Sequence, residues 1–196
     1  MLAQNSDHNL ARVSNRWLKS YYFVRFAVSA VWVALAFTVA KTMPPLAAIM
    51  LVAYPAWDAL ANLVDAQRTG GLSRNKSQLL NFVISLLTAL AVAIALTNSN
   101  NAVLAVYGVW AVLSGLFQLI TAARRWKING AQWAMILSGA QSALAGVFFV
   151  RMAGGVEAIG ITNVAPYAAF GAFYFLVSAV WLVVSDILRK SPQIAD

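Results

Sequence analysis

The sequence has few of the side chains that carry out chemistry. Its 196 residues include no cysteine, one histidine and one glutamate, and only 10% of them are charged. The lack of cysteine excludes disulfides, iron–sulfur clusters and thiolate metal sites. No HExxH, GxSxG or phosphate-binding glycine motif is present. We therefore expect no catalytic residue, no cofactor and no metal, and a protein that is not an enzyme.

Apolar residues are present in excess. They make up 61% of the chain, and the mean hydropathy is +0.72. Soluble domains have about 45–50% apolar and about 25% charged residues. A chain of this length cannot bury so much apolar surface by folding in water. The composition therefore predicts one membrane domain, covering residues 1–196.

Six stretches are long enough to span a bilayer, which takes about 20 apolar residues in helical form. They cover residues 21–40, 43–64, 79–97, 102–123, 131–150 and 164–185. Continuous apolar runs favour helices, because strands of a membrane barrel are about 9–11 residues long and alternate in polarity. Pro55 lies inside the second span, where it should bend the helix and free a carbonyl near Leu51.

Charge predicts the orientation of the six spans. Twelve of the fourteen lysines and arginines fall on one side: Arg12, Arg16, Lys19, Arg25, Arg68, Arg74, Lys76, Arg124, Arg125, Lys127, Arg189 and Lys190. Only Lys41 and Arg151 fall on the other. Cationic loops stay in the cytoplasm, so we expect a multi-pass membrane protein with both termini inside.

The same charges indicate the surroundings of the protein. The tails, residues 1–20 and 186–196, should be cytoplasmic. The first tail does not show the pattern of a signal peptide, so we expect the first span to direct insertion. The net charge of +8 follows from topology and predicts no binding of nucleic acid. It favours contact with the bilayer and with anionic lipid head groups at the cytoplasmic face.

The chain also repeats itself. Leu51, Tyr54, Trp57, Leu60 and Leu63 recur 53 residues later as Leu104, Tyr107, Trp110, Leu113 and Leu116, and the same displacement carries Ser85 to Ser138. A third, weaker copy includes Gly171. These repeats predict an all-α fold of three helical hairpins (residues 21–64, 79–123 and 131–185) in one orientation, related by an axis along the membrane normal.

The hairpins resemble a known family. The stretches YGVWAVLSGLFQLITAARRWK (residues 107–127) and WAMILSGAQSALAGVFF (residues 133–149) are similar to HdeD-like acid-resistance membrane proteins. The resemblance extends over about residues 20–190, although Asp58 and Asn62 replace the glycine-like positions in the first hairpin. It implies an inner-membrane protein associated with acid or envelope stress, and it implies no catalytic residue.

Two charges lie within the predicted spans and are candidates for function. Arg25 and Asp58 fall at similar depth in an antiparallel hairpin, where they could form an ion pair. In the alternative interpretation, Arg25 extends to the head groups and Asp58 reaches interfacial water.

The remaining polar and small residues predict contacts between helices. Four amides are candidates for interhelical hydrogen bonds or for lining a polar cavity: Asn62, Asn81, Gln118 and Gln141. Seven small residues should allow close helix packing: Ser114, Gly115, Ser138, Gly139, Ser142, Gly146 and Gly171.

Three hypotheses for function remain open after the sequence is read. The first is a non-enzymatic stress protein of the HdeD-like type. The second is a transporter or channel for a small solute. The third is an accessory subunit of a membrane complex, and both a larger complex and a homo-oligomer are compatible with the sequence.

Overall fold

The computed structural model describes residues 2–125, 132–156 and 159–190, and all regular structure in that part of the chain is helical. The six helices are α1 (Leu2–Thr38), α2 (Pro44–Arg68), α3 (Lys76–Ala95), α4 (Asn100–Arg125), α5 (Gln132–Ala153) and α6 (Ile161–Lys190), with a 3₁₀ turn at Ala40–Thr42. Each of the six is long and apolar enough to cross a membrane. The prediction of six helices long and apolar enough to span a membrane is confirmed.

The helix ends differ from the prediction in informative ways. α1 begins at Leu2, so the predicted N-terminal tail continues the first helix, whose apolar stretch is Arg16–Thr38. Helix α2 begins with Pro44 and Pro45 in its first turn, where a missing N–H costs nothing. Lys127 of the predicted basic loop and the C-terminal residues 191–196 lie outside the described residues.

The chain divides into two compact units. The first contains residues 1–31 and 168–196, which come from α1 and α6. Lys19 Nζ lies 2.6 Å from Asp186 Oδ2, and the rings of Tyr22 and Phe175 stack at 6.4 Å. These contacts place the beginning of the first span beside the end of the last.

The second unit, residues 32–167, contains α2 to α5 together with the end of α1 and the start of α6. Within it, α4 and α5 approach most closely, followed by α2 and α3, and then α3 and α4. The two closest pairs each join the second helix of one predicted hairpin to the first helix of the next. The grouping into three hairpins and the single membrane domain stay predictions.

Glycine explains the close approach of α4 and α5. A methyl group on Gly115 would lie 2.5 Å from the carbonyl oxygen of Gly139, and one on Gly146 would lie 2.5 Å from that of Gly108. In lipid, helices gain little from apolar burial and associate through such backbone contact. Gly115, Gly139 and Gly146 lie at this contact together with Gly108, which was not among the packing residues predicted from the sequence.

The turn between α2 and α3 is fixed by two glycines with positive φ, Gly70 at 106° and Gly71 at 91°. The N–H of Gly71 donates to the carbonyl of Ala66 at 2.7 Å, which ends α2 in a Schellman-type cap. Asn75 Nδ2 donates to the carbonyl of Gly71 at 2.9 Å. This short turn sets the register in which α2 and α3 face each other.

Replacement of one interface glycine tests this packing. Gly115→Ala should lower the stability of the detergent-solubilised protein by about 1–3 kcal/mol, because two backbones must move apart. The matched control is Gly160→Ala, since nothing lies within 4 Å of the added methyl group. Thermal unfolding of both variants gives the comparison, and equal midpoints would contradict the proposed role of the α4–α5 contact.

Candidate functional site

Asp58 lies at the centre of a polar network in the second unit. Its Oδ2 accepts a hydrogen bond from Ser85 Oγ on α3 at 2.7 Å and one from Asn62 Nδ2, one turn along α2, at 3.1 Å. Asn62 Nδ2 also donates to the carbonyl of Asp58 at 2.8 Å. The half-buried carboxylate therefore has two donors at membrane depth, where an unsatisfied charge is costly.

Ser85 joins three helices through its hydroxyl group. It donates to Asp58 on α2 and accepts a hydrogen bond from Trp110 Nε1 on α4 at 3.2 Å. Ser85 is only 1% exposed, so the three helices enclose its hydroxyl group. Donor and acceptor capacities of the three groups match along the chain from Trp110 to Ser85 to Asp58.

A second contact of the same kind lies nearer the turn. Gln78 Nε2 on α3 donates to Asp65 Oδ2 on α2 at 3.2 Å. Asp65 follows Asp58 by seven residues, and Gln78 precedes Ser85 by seven, so both contacts lie on the same helix faces. Sequence reasoning missed Asp65 and Gln78, which their seven-residue spacing could have revealed.

Pro55 leaves one carbonyl of α2 without a hydrogen-bond donor, and a residue of α4 supplies the donor. Proline has no N–H, so the carbonyl of Leu51 loses its partner within α2. The hydroxyl of Tyr107 donates to that carbonyl at 2.7 Å. The freed carbonyl at Leu51 was predicted from the sequence and is confirmed, and Tyr107 is the partner that the sequence did not identify.

Aromatic rings form a row beside this network. Tyr54 and Trp110 meet edge to face with 6.2 Å between ring centroids, and Trp110 and Tyr167 do the same at 6.2 Å. Phe149 and Trp32 extend the cluster through contacts with Tyr167 and Tyr54. Tyr54, Trp110 and Tyr167, which we call the aromatic row, fill the space between α2, α4 and the start of α6.

Two members of the row have equivalent serine partners. Trp110 donates to Ser85, and the hydroxyls of Tyr167 and Ser142 lie 3.0 Å apart. Serine and aromatic residue are 25 positions apart in both pairs, and the second pair follows the first by 57 residues. The serine of α5 that makes this contact is therefore about one helical turn further along the chain than the 53-residue displacement of the predicted repeat would place it.

The predicted ion-pair residues have well-defined surroundings in their own units. Arg25 Nη1 donates to the hydroxyl of Tyr21 at 2.9 Å, and its guanidinium lies 4.2 Å from the ring centroid of Phe175. Asp58 is held by Ser85 and Asn62 in the second unit. The Arg25–Asp58 ion pair stays a prediction.

The other predicted residues fall into two groups. Asn62 and Ser142 make interhelical or network contacts, the latter donating to the carbonyl of Ala111 at 3.0 Å. The remaining ones are half-buried, and their roles stay predictions: Asn81, Ser114, Gln118, Ser138, Gln141 and Gly171. Sequence reasoning also missed the salt bridge of Lys19 with Asp186.

The space beside the freed carbonyl is small. A cavity of about 10 Å³ is lined by Leu51, Asn100, Val103, Leu104, Ile159, Gly160 and Val164, which is room for about one water molecule. Among the residues that the structure describes, no group of three histidine, cysteine or acidic side chains could hold a metal ion.

The fold and this network define an all-helical, multi-pass membrane protein whose core is joined by polar contacts. Residues 74–151, which cover α3, α4 and most of α5, match a family model described as a short repeat of unknown function (DUF308). No curated protein matches the chain. No solved structure matches it.

Removal of the Ser85 hydroxyl tests the network. Ser85→Ala leaves Trp110 Nε1 without an acceptor and Asp58 with one donor fewer, and each loss should cost about 1–3 kcal/mol. Ser138→Ala is the control, because the structure gives the half-buried Ser138 hydroxyl no hydrogen bond within the described residues. The midpoint of thermal unfolding should fall clearly for the first variant only. Equal midpoints would show that Ser85 does not couple the three helices.

Proposed function

We propose that this chain is a non-enzymatic protein of the bacterial inner membrane, of the HdeD-like type, which supports tolerance of acid or envelope stress. The main support is the match of residues 74–151 to the DUF308 repeat, the family that includes HdeD-like proteins. The stretches of residues 107–127 and 133–149, which carry the resemblance in sequence, both lie within that match.

The geometry of the core favours a structural role over catalysis. Asp58, Ser85 and Trp110 are hydrogen-bonded to one another, and Tyr107 is bonded to a backbone carbonyl. Groups engaged in this way hold helices together and are not poised to attack a substrate. The protein would then act through its integrity in the bilayer or through a partner there.

The proposed orientation places both termini in the cytoplasm. It rests on the charge distribution, because the turn between α2 and α3 exposes Arg68, Arg74 and Lys76. The contact of Lys19 with Asp186 supports it, since it brings the beginning of the first span and the end of the last to one side. These cations would also meet anionic lipid head groups.

Transport of a small solute is less well supported. A pathway needs a polar passage, yet the aromatic row packs edge to face between α2, α4 and α6. The described cavity beside Leu51 would hold about one water molecule. An accessory role in a membrane complex is compatible with the proposal, since the stress function could be exerted through such a partner.

Survival at low pH tests the proposed function. A deletion strain should lose viability in acid, and expression of the wild-type chain should restore it. Asp58→Asn should restore it less well, because a charge-assisted hydrogen bond worth about 1.5–3 kcal/mol is replaced by a neutral one. Leu87→Ala is the control, since Leu87 is exposed on the outer face of α3.

The level of each variant in the membrane has to be measured beside survival. If the deletion strain survives acid and envelope stress as well as its parent, the proposed function is contradicted. If Asp58→Asn fully restores survival in acid at an equal protein level, the stress function does not depend on the charge of Asp58 in the polar network.

A further inference from the structure

The faces of α2 and α3 that meet each other are polar at three successive levels. Asp65 bonds to Gln78 at the level nearest the turn, and Asp58 bonds to Ser85 at the deepest level. Asn62 and Asn81 occupy the level between them, because each lies three or four residues from both contacts on its own helix. We call these six residues, Asp58, Asn62, Asp65, Gln78, Asn81 and Ser85, the polar seam.

The middle level of the seam has polar groups that the protein does not satisfy. Asn62 uses its amide nitrogen twice, towards Asp58, and no group among the described residues donates to its amide oxygen. The amide of Asn81 likewise makes no hydrogen bond within the described part of the chain. Asn62 is only 7% exposed and Asn81 is half-buried, and neither is among the described residues with a fully enclosed polar atom that lacks a partner. Their unbonded polar atoms therefore keep a small accessible surface, which a water molecule can reach.

Amide groups in such a position need partners. An amide moved out of water without a hydrogen bond costs about 1–3 kcal/mol in proteins. Lipid tails offer no donor or acceptor. Water is the molecule that fits, because it both donates to the oxygen of Asn62 and accepts from the nitrogen of Asn81.

The two ends of the seam differ in exposure: the end at the turn is surrounded by exposed side chains, and the deep end is buried. At the turn, residues 69–75 are surrounded by the exposed side chains of Arg68, Arg74 and Lys76, which lie where water is present. At the deep end, Ser85 is bonded to Trp110 of the aromatic row. One heptad beyond Ser85 on the same face of α3, Val92 is 0% exposed.

We propose that the polar seam is a water-filled inlet that enters from the side of the α2–α3 turn, reaches Asp58 and ends at Trp110. Water in the inlet completes the hydrogen bonding of Asn62 and Asn81. It also lowers the cost of keeping the Asp58 carboxylate at this depth, since the group is then solvated from one side. The inlet does not depend on the stress function.

Because the sequence contains no cysteine, a single introduced cysteine is the only thiol that can be labelled, and it can test the inlet. Single cysteines at Asn81 and Ser85 report from inside the seam, and cysteines at Leu80 and Leu86 report from adjacent positions on the exposed apolar face of α3. Inside-out membrane vesicles containing the full chain are treated with a charged, membrane-impermeant maleimide. Thiols react as thiolates, which form only in contact with water.

The inlet predicts a pattern across these variants. Asn81→Cys should react at least about tenfold faster than Leu80→Cys, and Ser85→Cys faster than Leu86→Cys, because only the seam positions meet water. Val92→Cys should stay unlabelled, since it lies beyond Trp110. Right-side-out vesicles should give no labelling at any of these positions.

The opposite pattern would overturn the inlet. If Asn81→Cys reacts no faster than Leu80→Cys, water does not reach the middle level of the seam and the inlet is contradicted. If Val92→Cys reacts as fast as Asn81→Cys, water passes Trp110 and the inlet is not closed there. Gln78→Cys replaces Ser85→Cys as the second probe if loss of the hydroxyl prevents accumulation in the membrane.

Discussion

Inside lipid, every backbone N–H and C=O group needs a hydrogen-bond partner within the protein. This requirement determines how the central helices of the structure are joined. Pro55 removes one N–H from the middle of α2, and the carbonyl of Leu51 is left without its helical partner. Tyr107 of α4 supplies the missing donor at 2.7 Å and is itself 0% exposed. A single proline thus makes α2 depend on α4, although the two helices are separated in sequence by the whole of α3. The aromatic row and the network around Asp58 surround this junction.

The helices of the second unit are held together in two different ways. α4 and α5 rely on backbone contact at Gly115 with Gly139 and at Gly108 with Gly146, where no larger side chain would fit in place of the glycine. α2 and α3 rely on hydrogen bonds between side chains, with Asp58 bonded to Ser85. Backbone contact leaves no space for water, whereas side-chain bonds leave polar groups that water can reach. This contrast is why the proposed inlet lies between α2 and α3 and not between α4 and α5.

The sequence predicted the parts of the structure that composition and spacing control. Six spans followed from the length of apolar runs, and the freed carbonyl near Leu51 followed from Pro55 alone. The rotation of each helix about its axis was beyond such reasoning, because an apolar helix in lipid has no single buried stripe that sets it. For that reason the partners of Asp58 within its own unit, Ser85 and Asn62, were not predicted. The 53-residue displacement, which relates Ser85 to Ser138, likewise gave no sign that Ser142 makes a contact with an aromatic residue like that of Ser85.

The dependence of α2 on α4 is tested most directly by combining Tyr107→Phe with Pro55→Ala and measuring the free energy of unfolding in detergent. Tyr107→Phe alone should destabilise the protein by about 1–3 kcal/mol, because a buried carbonyl loses its donor. In the Pro55→Ala background the new backbone N–H at position 55 can donate to the Leu51 carbonyl, so the same substitution should cost markedly less. An equal cost in both backgrounds would contradict the account, since it would mean that Tyr107 does not replace the hydrogen bond that Pro55 removes.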